Sequence, residues 1–218
     1  QMNPHAVAAR RLAFGATLTV GEFAITAPLA AYIKKNPEVS VHMEVADTQS
    51  LLKMLDDGKL DFAVVEGYFP KSAYDSFVYS TERFVTVCGR DYEFTRPVRR
   101  IEDLLGERLL VREEGSGTRR ILETYLEGQN LSITDFSSHI QASNIAVIKS
   151  LTAAGCGITF LYEAAVRREL QQGEIRLIPM VDFHLVHDFS FIWRKNSLYA
   201  DRYKEIFLQW KAARSARQ

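Results

Sequence analysis

Residues 11–67 read RLAFGATLTVGEFAITAPLAAYIKKNPEVSVHMEVADTQSLLKMLDDGKLDFAVVEG and alternate between strand and helix patterns. The alternation of apolar and polar residues predicts strands at 12–16, 39–45 and 60–65, with a helix in each gap. Pro28 lies in the first helical run, so that helix either begins near Pro28 or bends there. A strand–helix–strand–helix–strand order is typical of a parallel sheet with helical crossovers.

The same order begins again after a predicted strand at 84–88. Further strands are predicted at 108–112, 138–142, 158–161 and 175–180, and helical runs follow the first three of them. Apolar side chains then alternate through another strand and form one stripe of a final helix: Phe189, Phe191 and Trp193 in the strand, and Tyr203, Ile206, Phe207 and Trp210 in the helix. The fold class is therefore α/β, with two units of similar plan.

The two units are predicted to be two Rossmann-like lobes joined by ordered strands near 84–90 and 180–192, because no low-complexity linker separates them. The first lobe takes residues 11–86 plus 189–214, and the second takes residues 87–188. Two α/β lobes joined by two crossings form a central cleft, which is a natural place for a small ligand.

Composition excludes several classes of protein. Of 218 residues, 47% are hydrophobic and 25% are charged, which is typical of a globular chain and not of a disordered, coiled-coil or disulfide-scaffold protein. Lys+Arg 27 against Asp+Glu 27 gives zero formal net charge, so the chain alone is a poor binder of nucleic acid or of a membrane surface. We expect Cys88 and Cys156 to be buried free thiols in a reducing compartment, no membrane span, and no signal peptide in QMNPHAVAARR.

Short polar residues follow the predicted strands in both units. Ligands of open α/β sheets bind outside the carboxyl ends of the strands, and helix N-termini at those ends favour anions. The candidate ligand-binding residues are Thr17, Thr19, Thr48, Gln49, Ser116, Gly117, Thr118, Ser143 and Asn144. The alternative is that these residues cap helices and do nothing more.

No motif predicts catalysis, a cofactor or a metal. The GSGT turn at 115–118 lacks the spacing and the lysine of a phosphate-binding loop, and Gly155-x-Gly157 precedes a strand instead of following one. His184 and His187 are three apart in a strand-like stretch and face opposite sides. Arg119 lies in the first helical turn after GSGT, where it points either at a bound anion or at solvent.

Three segments resemble the effector-binding domain of LysR-type transcriptional regulators. They are residues 12–67, LLVREEGSGTRRILETYL at 109–126, and SNIAVIKSLTAAGCGITFLYEAAVRREL at 143–170 with GEIRLIPM behind it. The resemblance implies a fold like the type 2 periplasmic binding proteins, a small-molecule effector in the cleft, and cytoplasmic homodimers or tetramers. It also points to the nine candidate residues above as effector contacts. Val20 is apolar where some relatives have a polar side chain that reaches the ligand.

The resemblance implies further properties. The family's DNA-binding winged helix-turn-helix is absent from this chain, so DNA is expected as a partner only of the full-length protein. The EEGSGTR turn at 113–119 resembles a branch of the family whose effectors are small anions or phosphorylated metabolites. The helix at 20–34 carries apolar residues around more than one face, which is consistent with an antiparallel homodimer: Phe23, Ile25, Leu29, Tyr32 and Ile33.

The favoured function is therefore a regulatory domain that binds an effector and is not an enzyme. One alternative is an exported solute-binding protein of a transporter, which has the same fold. The other is a prephenate-dehydratase-like enzyme, whose Thr-Arg-Phe motif is only partly matched by Thr118-Arg119-Arg120. A helix-turn-helix upstream would favour the regulator, and a signal peptide would favour the solute-binding protein.

Overall fold

A computed structural model describes residues 11–215 of the chain. The prediction about a signal peptide falls on residues that lie outside this range. The described chain divides into two compact units: residues 11–81 with 188–215 form unit 1, and residues 82–187 form unit 2. Both junctions, at 81/82 and 187/188, lie inside strands, whereas the boundaries predicted from the sequence are 86/87 and 188/189.

Unit 1 is built on a mixed sheet that contains three parallel strands. Its strands are β1 (Arg11–Ala16), β2 (Ser40–Val45), β3 (Phe62–Val65), the first part of β4 (Tyr74–Gly89) and the last part of β9 (Leu185–Arg194). β1 lies between β2 and β3 and pairs in parallel with both, and β9 pairs antiparallel with β3. The helices of unit 1 are α1 (Thr26–Lys35), α2 (Thr48–Asp56) and α6 (Ala200–Ser215).

Each face of this sheet is covered by helices. On one face, Phe62 stacks on Phe191 with ring centroids 4.3 Å apart, and Trp210 of α6 packs edge-on against Phe14 at 5.0 Å. On the other face, α2 buries three leucines against the sheet: Leu51, Leu52 and Leu55. The apolar stripes predicted in β9 and in the last helix are confirmed as core.

Unit 2 repeats the plan. Its strands are the rest of β4, β5 (Arg108–Arg112), β6 (Ser138–Ala142), β7 (Ile158–Tyr162) and β8 (Ile175–Leu177), and its helices are α3 (Gly117–Gly128), α4 (Ile145–Ala153) and α5 (Glu163–Gln172). β5 pairs in parallel with β6 and β7, whereas β4 pairs antiparallel with β7 and β8. Short 3₁₀ turns at Ile101–Leu104 and Ile133–Asp135 complete the unit.

Two strands differ from their predictions, and one stated alternative is confirmed. The helix of the run at 20–34 begins near Pro28: α1 starts at Thr26 with Pro28 in its first turn, and Val20–Ala24 before it forms a π-helical turn. β4 begins at Tyr74, whereas the sequence predicts its start at residue 84. The first half of the strand was missed because adjacent apolar residues among polar ones hide the period of two. β8 ends at Leu177 instead of residue 180, because Pro179 has no backbone donor for the ladder.

The two cysteines differ in burial. Both are free thiols, but Cys88 is buried whereas Cys156 is partly exposed, so the expected burial of Cys156 is wrong. Cys156 lies in the Gly155–Gly157 turn between α4 and β7, where a short loop cannot cover it. Burial raises the pKa of the Cys88 thiol above its usual value. Among residues 11–215, no helix has the length and the apolar composition that a membrane crossing requires.

A substitution at Gly157 tests the close contact between β5 and the loop before β7. A Cβ at this position would clash with the backbone carbonyl oxygen of Arg108, whereas a Cβ at Gly128 meets open space. Gly157→Ala should therefore lower the free energy of unfolding by about 1–3 kcal/mol. Gly128→Ala should leave it unchanged or raise it slightly, because it removes backbone freedom from the unfolded chain. Urea unfolding of both variants makes the measurement, and equal midpoints would contradict the packing described.

Candidate ligand-binding site

The parallel strands of unit 1 end at a common edge, and three polar residues lie there. Thr17 follows β1, and its backbone N–H donates to the carbonyl oxygen of Val64 in β3 at 3.2 Å. Thr48 is the first residue of α2, after β2, and Glu66 follows β3 directly. All three are buried. The sequence therefore places hydroxyl and carboxyl groups at the edge where open α/β sheets bind ligands.

The hydroxyl groups of Thr17 and Thr48 have no partner within residues 11–215. Thr17 is 3% exposed and Thr48 is 8% exposed, and neither Oγ1 atom makes a hydrogen bond. Native proteins pair almost all of their buried polar atoms, with protein, water or ligand. At Gly67 a Cβ would clash with Oγ1 of Thr48, so a glycine is required beside this hydroxyl. At this edge of unit 1, these two hydroxyl groups are therefore available to a ligand.

Helix capping does not explain Thr48. The cap of α2 is Asp47, whose Oδ1 accepts from the backbone N–H of Ser50 at 2.9 Å and whose Oδ2 accepts from the Ser50 hydroxyl at 2.8 Å. Burial raises the pKa of Asp47, but the hydrogen bonds from Ser50 outweigh it and the net shift is downward. Gln49, the neighbour of Thr48, is exposed on the first turn of the helix.

Thr19 and Val20 lie at the start of the π-helical turn. Thr19 is buried, and no side-chain hydrogen bond caps the turn. Val20 is fully buried, so the apolar residue at this position belongs to the core of unit 1.

In unit 2, the end of β5 carries a buried arginine that the sequence reasoning did not select. Arg112 is 5% exposed, and its Nε and Nη2 atoms each donate to the carboxylate of Glu113 at 2.8 Å. Its Nη1 atom is buried and has no partner in the described structure. Burial raises the pKa of Glu113, but the hydrogen bonds from Arg112 outweigh it and lower the pKa overall. Arg112 is therefore held in a fixed position with one donor group unused.

Arg119 does not have the role that its position after GSGT suggested. Its Nε donates to Glu123 at 2.7 Å, and its Nη1 donates to Oε1 of Gln141 at 2.8 Å and to the carbonyl oxygen of Arg112 at 3.1 Å. The side chain is buried, so it does not point to open solvent. Arg119 connects α3 to β5 and β6, and it holds the end of β5 in place.

The other candidates of unit 2 include two helix caps. Oγ of Ser116 accepts from the backbone N–H of Arg119 at 3.4 Å, and Oδ1 of Asn144 accepts from that of Val147 at 3.2 Å. Ser143 and Asn144 are exposed, whereas Thr118 is buried on the first turn of α3 next to Gly117. Capping thus accounts for Ser116 and Asn144, and a role in ligand binding stays a prediction for all five candidates of unit 2.

Glu66 and Arg112 were missed for the same reason. Each is a charged residue at the end of a continuous apolar run, FAVV before Glu66 and LLV before Arg112. A charged residue after an apolar strand predicts that the chain returns to solvent there, because Lys, Arg, Asp and Glu are almost never fully buried unless they are paired. The pattern therefore gives no sign that these two side chains are buried. Within residues 11–215, no group of His, Cys, Asp and Glu side chains is arranged to hold a metal ion.

Parallel strands that end at buried polar side chains are typical of α/β proteins that bind small molecules. The chain matches the model of the LysR substrate binding domain over residues 5–210, and it belongs to that family. The family favours the regulatory domain over the solute-binding protein and over the enzyme, and so supports the prediction that the chain is not an enzyme.

Proteins that resemble this chain include a transcriptional regulator and regulatory domains of known structure. An uncharacterized HTH-type transcriptional regulator of Methanocaldococcus jannaschii is 26% identical over 172 residues, which is 78% of this chain and 58% of that protein. The regulatory domain of CcmR from Synechocystis PCC6803, in complex with 2-PG, aligns with a TM-score of 0.78 at 18% identity over 91% of this chain and 95% of that one. A sulfate-bound mutant of the OxyR2 regulatory domain from Vibrio vulnificus aligns with a TM-score of 0.80 at 18% identity over 93% and 95%.

These solved structures show the fold, and they confirm the predicted α/β class with two lobes of the type 2 periplasmic-binding-protein kind. The chain spans about three fifths of the length of the curated relatives that it matches. The share lies between 58% and 64% for five of these relatives.

Threonine-to-valine substitutions test whether the hydroxyl groups at the strand ends serve the fold. Thr17→Val and Thr48→Val keep the shape and remove an unpaired hydroxyl, so the free energy of unfolding should stay the same or rise by about 1 kcal/mol. Thr159→Val is the matched control, because the buried Thr159 hydroxyl donates to the Leu110 carbonyl oxygen at 2.8 Å and its loss should cost about 1 kcal/mol. Chemical unfolding measures all three, and a loss at Thr17 equal to that at Thr159 would refute a ligand-directed role.

Proposed function

We propose that this chain is the effector-binding regulatory domain of a LysR-type transcriptional regulator, and that the effector is a small anion. The observation that carries the anionic assignment is the buried Nη1 of Arg112, a charged donor without a partner in the described structure. A guanidinium N–H that is buried and unsatisfied costs free energy, and a bound anion recovers that cost through a charge-assisted hydrogen bond.

Three further observations support the anionic effector. The N-terminus of α3, from Gly117 on, follows the end of β5 and presents backbone N–H groups and the positive end of its dipole. The Glu113 carboxylate fixes the plane of the Arg112 guanidinium, so the unused N–H keeps one direction. The solved relative from Vibrio vulnificus is described as sulfate-bound, and sulfate is a small anion.

In unit 1, we propose that the hydroxyl groups of Thr17 and Thr48 receive polar atoms of the effector. A hydroxyl both donates and accepts, so these residues suit uncharged polar atoms of the effector, such as its hydroxyl or carbonyl oxygen atoms. The carboxyl group of Glu66 is buried at the same edge, which makes unit 1 a less suitable place for the anionic group than Arg112 of unit 2. That one effector contacts both units stays a prediction from the sequence.

Anion binding is tested by removing the unused donor. Sulfate and inorganic phosphate are titrated into the wild-type chain and into Arg112→Met, with Arg120→Met as the control that removes an exposed charge from the same segment. We expect an anion-dependent rise in the unfolding temperature of the wild type and of Arg120→Met, because a ligand that binds the native state stabilises it. The rise should be lost in Arg112→Met. An equal rise in all three chains would contradict the proposal.

We propose that control of transcription belongs to the full-length protein, which acts in the cytoplasm, where its DNA target lies. The curated relatives are longer than this chain, and their names describe HTH-type and other transcriptional regulators. The chain itself has zero formal net charge, which provides no excess of Lys and Arg to neutralise DNA phosphates.

The chain by itself should therefore give no sequence-specific shift of its own promoter DNA in a gel-shift assay at physiological salt. The full-length protein should give that shift, and an effector should change its affinity or its footprint. A specific shift by the 218-residue chain would show that the chain contains a DNA-binding surface that the sequence and the fold do not indicate.

We also propose that the regulatory domain forms a homodimer through the outer strands. β2 is the last strand of the sheet in unit 1 and β6 is the last in unit 2, and an exposed edge strand is prone to pair or pack with another chain. Exposed apolar side chains lie on or beside both strands: Ile33 and Val45 in unit 1, and Ile140 and Val147 in unit 2. A two-fold arrangement that sets unit 1 of one subunit against unit 2 of its partner covers all four.

Burial decides which variants can test the dimer. Ile25 is fully buried, so Ile25→Glu should unfold unit 1 and reports nothing about assembly. Ile33→Glu and Val45→Glu introduce charges at exposed positions and should convert the dimer to monomer in sedimentation equilibrium. Leu198→Glu, at an exposed position of another segment, should leave the dimer intact. A wild-type chain that is monomeric at high micromolar concentration would refute the proposal.

A further inference from the structure

Unit 2 contains a cavity that shares no residue with the candidate effector site. Its volume is about 470 Å³, which lies within the range of small-molecule pockets. One wall is the part of β4 from Arg83 to Thr86, and the other is the segment at 177–186 that leads from β8 into β9. Both strands that pass between the units therefore supply residues to the lining.

The inner wall of this cavity is aromatic and held in place by its neighbours. The ring of Phe84 lies 5.2 Å from that of Tyr162 and 6.4 Å from that of Phe183. Phe183 packs in turn on Tyr125 at 4.8 Å and on Phe160 at 5.4 Å. Aromatic side chains packed on several sides keep their positions, so this wall is preformed and favours a flat apolar ligand.

Thr86 provides a polar group without a partner in this wall. It is 3% exposed, and its Oγ1 makes no hydrogen bond within the described structure, although its carbonyl oxygen accepts from the backbone N–H of Ile178 at 2.9 Å. Thr86 and Phe84 are two apart in β4 and so lie on the same face of the strand. The unpaired hydroxyl therefore belongs to the same face of β4 as Phe84, and Thr86 is one of the residues that line the cavity.

The charges at the cavity favour a neutral ligand. Among the described lining residues, Arg83 is the one with a permanently charged side chain, and its Nη1 lies 3.1 Å from the Glu163 carboxylate. The Arg83 side chain is 64% exposed, so water screens its charge, and unlike Arg112 it offers no buried donor to an anion. The other rim residues include the exposed apolar side chains of Leu177 and Val186.

We propose that this cavity binds a small neutral aromatic molecule that carries one hydroxyl group. The ring packs on Phe84 and Phe183, and the hydroxyl forms a hydrogen bond with Oγ1 of Thr86. Phenol is the probe for this chemistry, and toluene, which has the same ring and no hydroxyl, is its matched partner. The site is separate from the effector site of the proposed function, and it stands or falls independently of it.

The test titrates phenol and toluene into the 218-residue chain while NMR follows the methyl group of Met180, which lines the cavity. Saturable binding of phenol is expected in the wild type. Thr86→Val keeps the shape and removes the hydroxyl, so it should weaken phenol by about fivefold and leave toluene as tight or tighter. An unchanged phenol affinity, an equal loss for both probes, or no saturable binding in the wild type would each overturn the proposal.

A second pair of variants guards against an effect of Thr86 on folding. Val186→Trp fills the rim and should abolish the binding of both probes, whereas Val181→Trp, on the same segment but outside the lining, should leave binding unchanged. Neither variant should alter the response to sulfate. If Val186→Trp binds phenol like the wild type, the probe occupies another place and the proposal is wrong.

Discussion

Parallel pairing of β1 with β2 and β3 is the constraint on which the rest of unit 1 depends. Parallel neighbours cannot be joined by a tight turn, so the chain must return through a helix after each strand. Every strand then ends at the same edge, and the next helix begins there. The polar residues that follow the strands are brought together by this topology and not by their spacing in the sequence. β5 with β6 and β7 places Arg112 and the start of α3 in unit 2 by the same rule.

Polar side chains at such an edge can cap a helix or stay available to a ligand, and the structure shows which of them cap helices. Helix starts need acceptors for their free backbone N–H groups, and Asp47, Ser116 and Asn144 provide these. The Oγ1 atoms of Thr17 and Thr48 and the Nη1 of Arg112 are left over after the caps are made. Residues of the same kinds at the same edge thus have different roles, and the atoms without a partner are the ones that indicate a ligand.

Much of the fold follows from local pattern. The strands of both units, the helices and the buried stripe of α6 come from periodicity, because each element must bury one face. Elements that break a local pattern were the ones in error. The first half of β4 has no regular alternation, and β8 stops before a proline. The site was only half predicted for a related reason: hydroxyl groups after strands are visible in the sequence, but whether an arginine near a strand end turns inward depends on which acceptors the fold brings to it. Pairing of β5 with β6 brings Gln141 to Arg119 of α3, whereas Arg112 is held by its neighbour Glu113, and the sequence does not show this difference.

The central claim is that the strand-end atoms without protein partners are groups that hold an anionic effector. A structure from crystals of this chain that are grown with sulfate or phosphate tests this claim most directly. The account predicts an anion within hydrogen-bond distance of Nη1 of Arg112, with the Arg112–Glu113 pair intact. A structure in which that Nη1 donates to a protein oxygen, with no anion bound to it, would contradict the account.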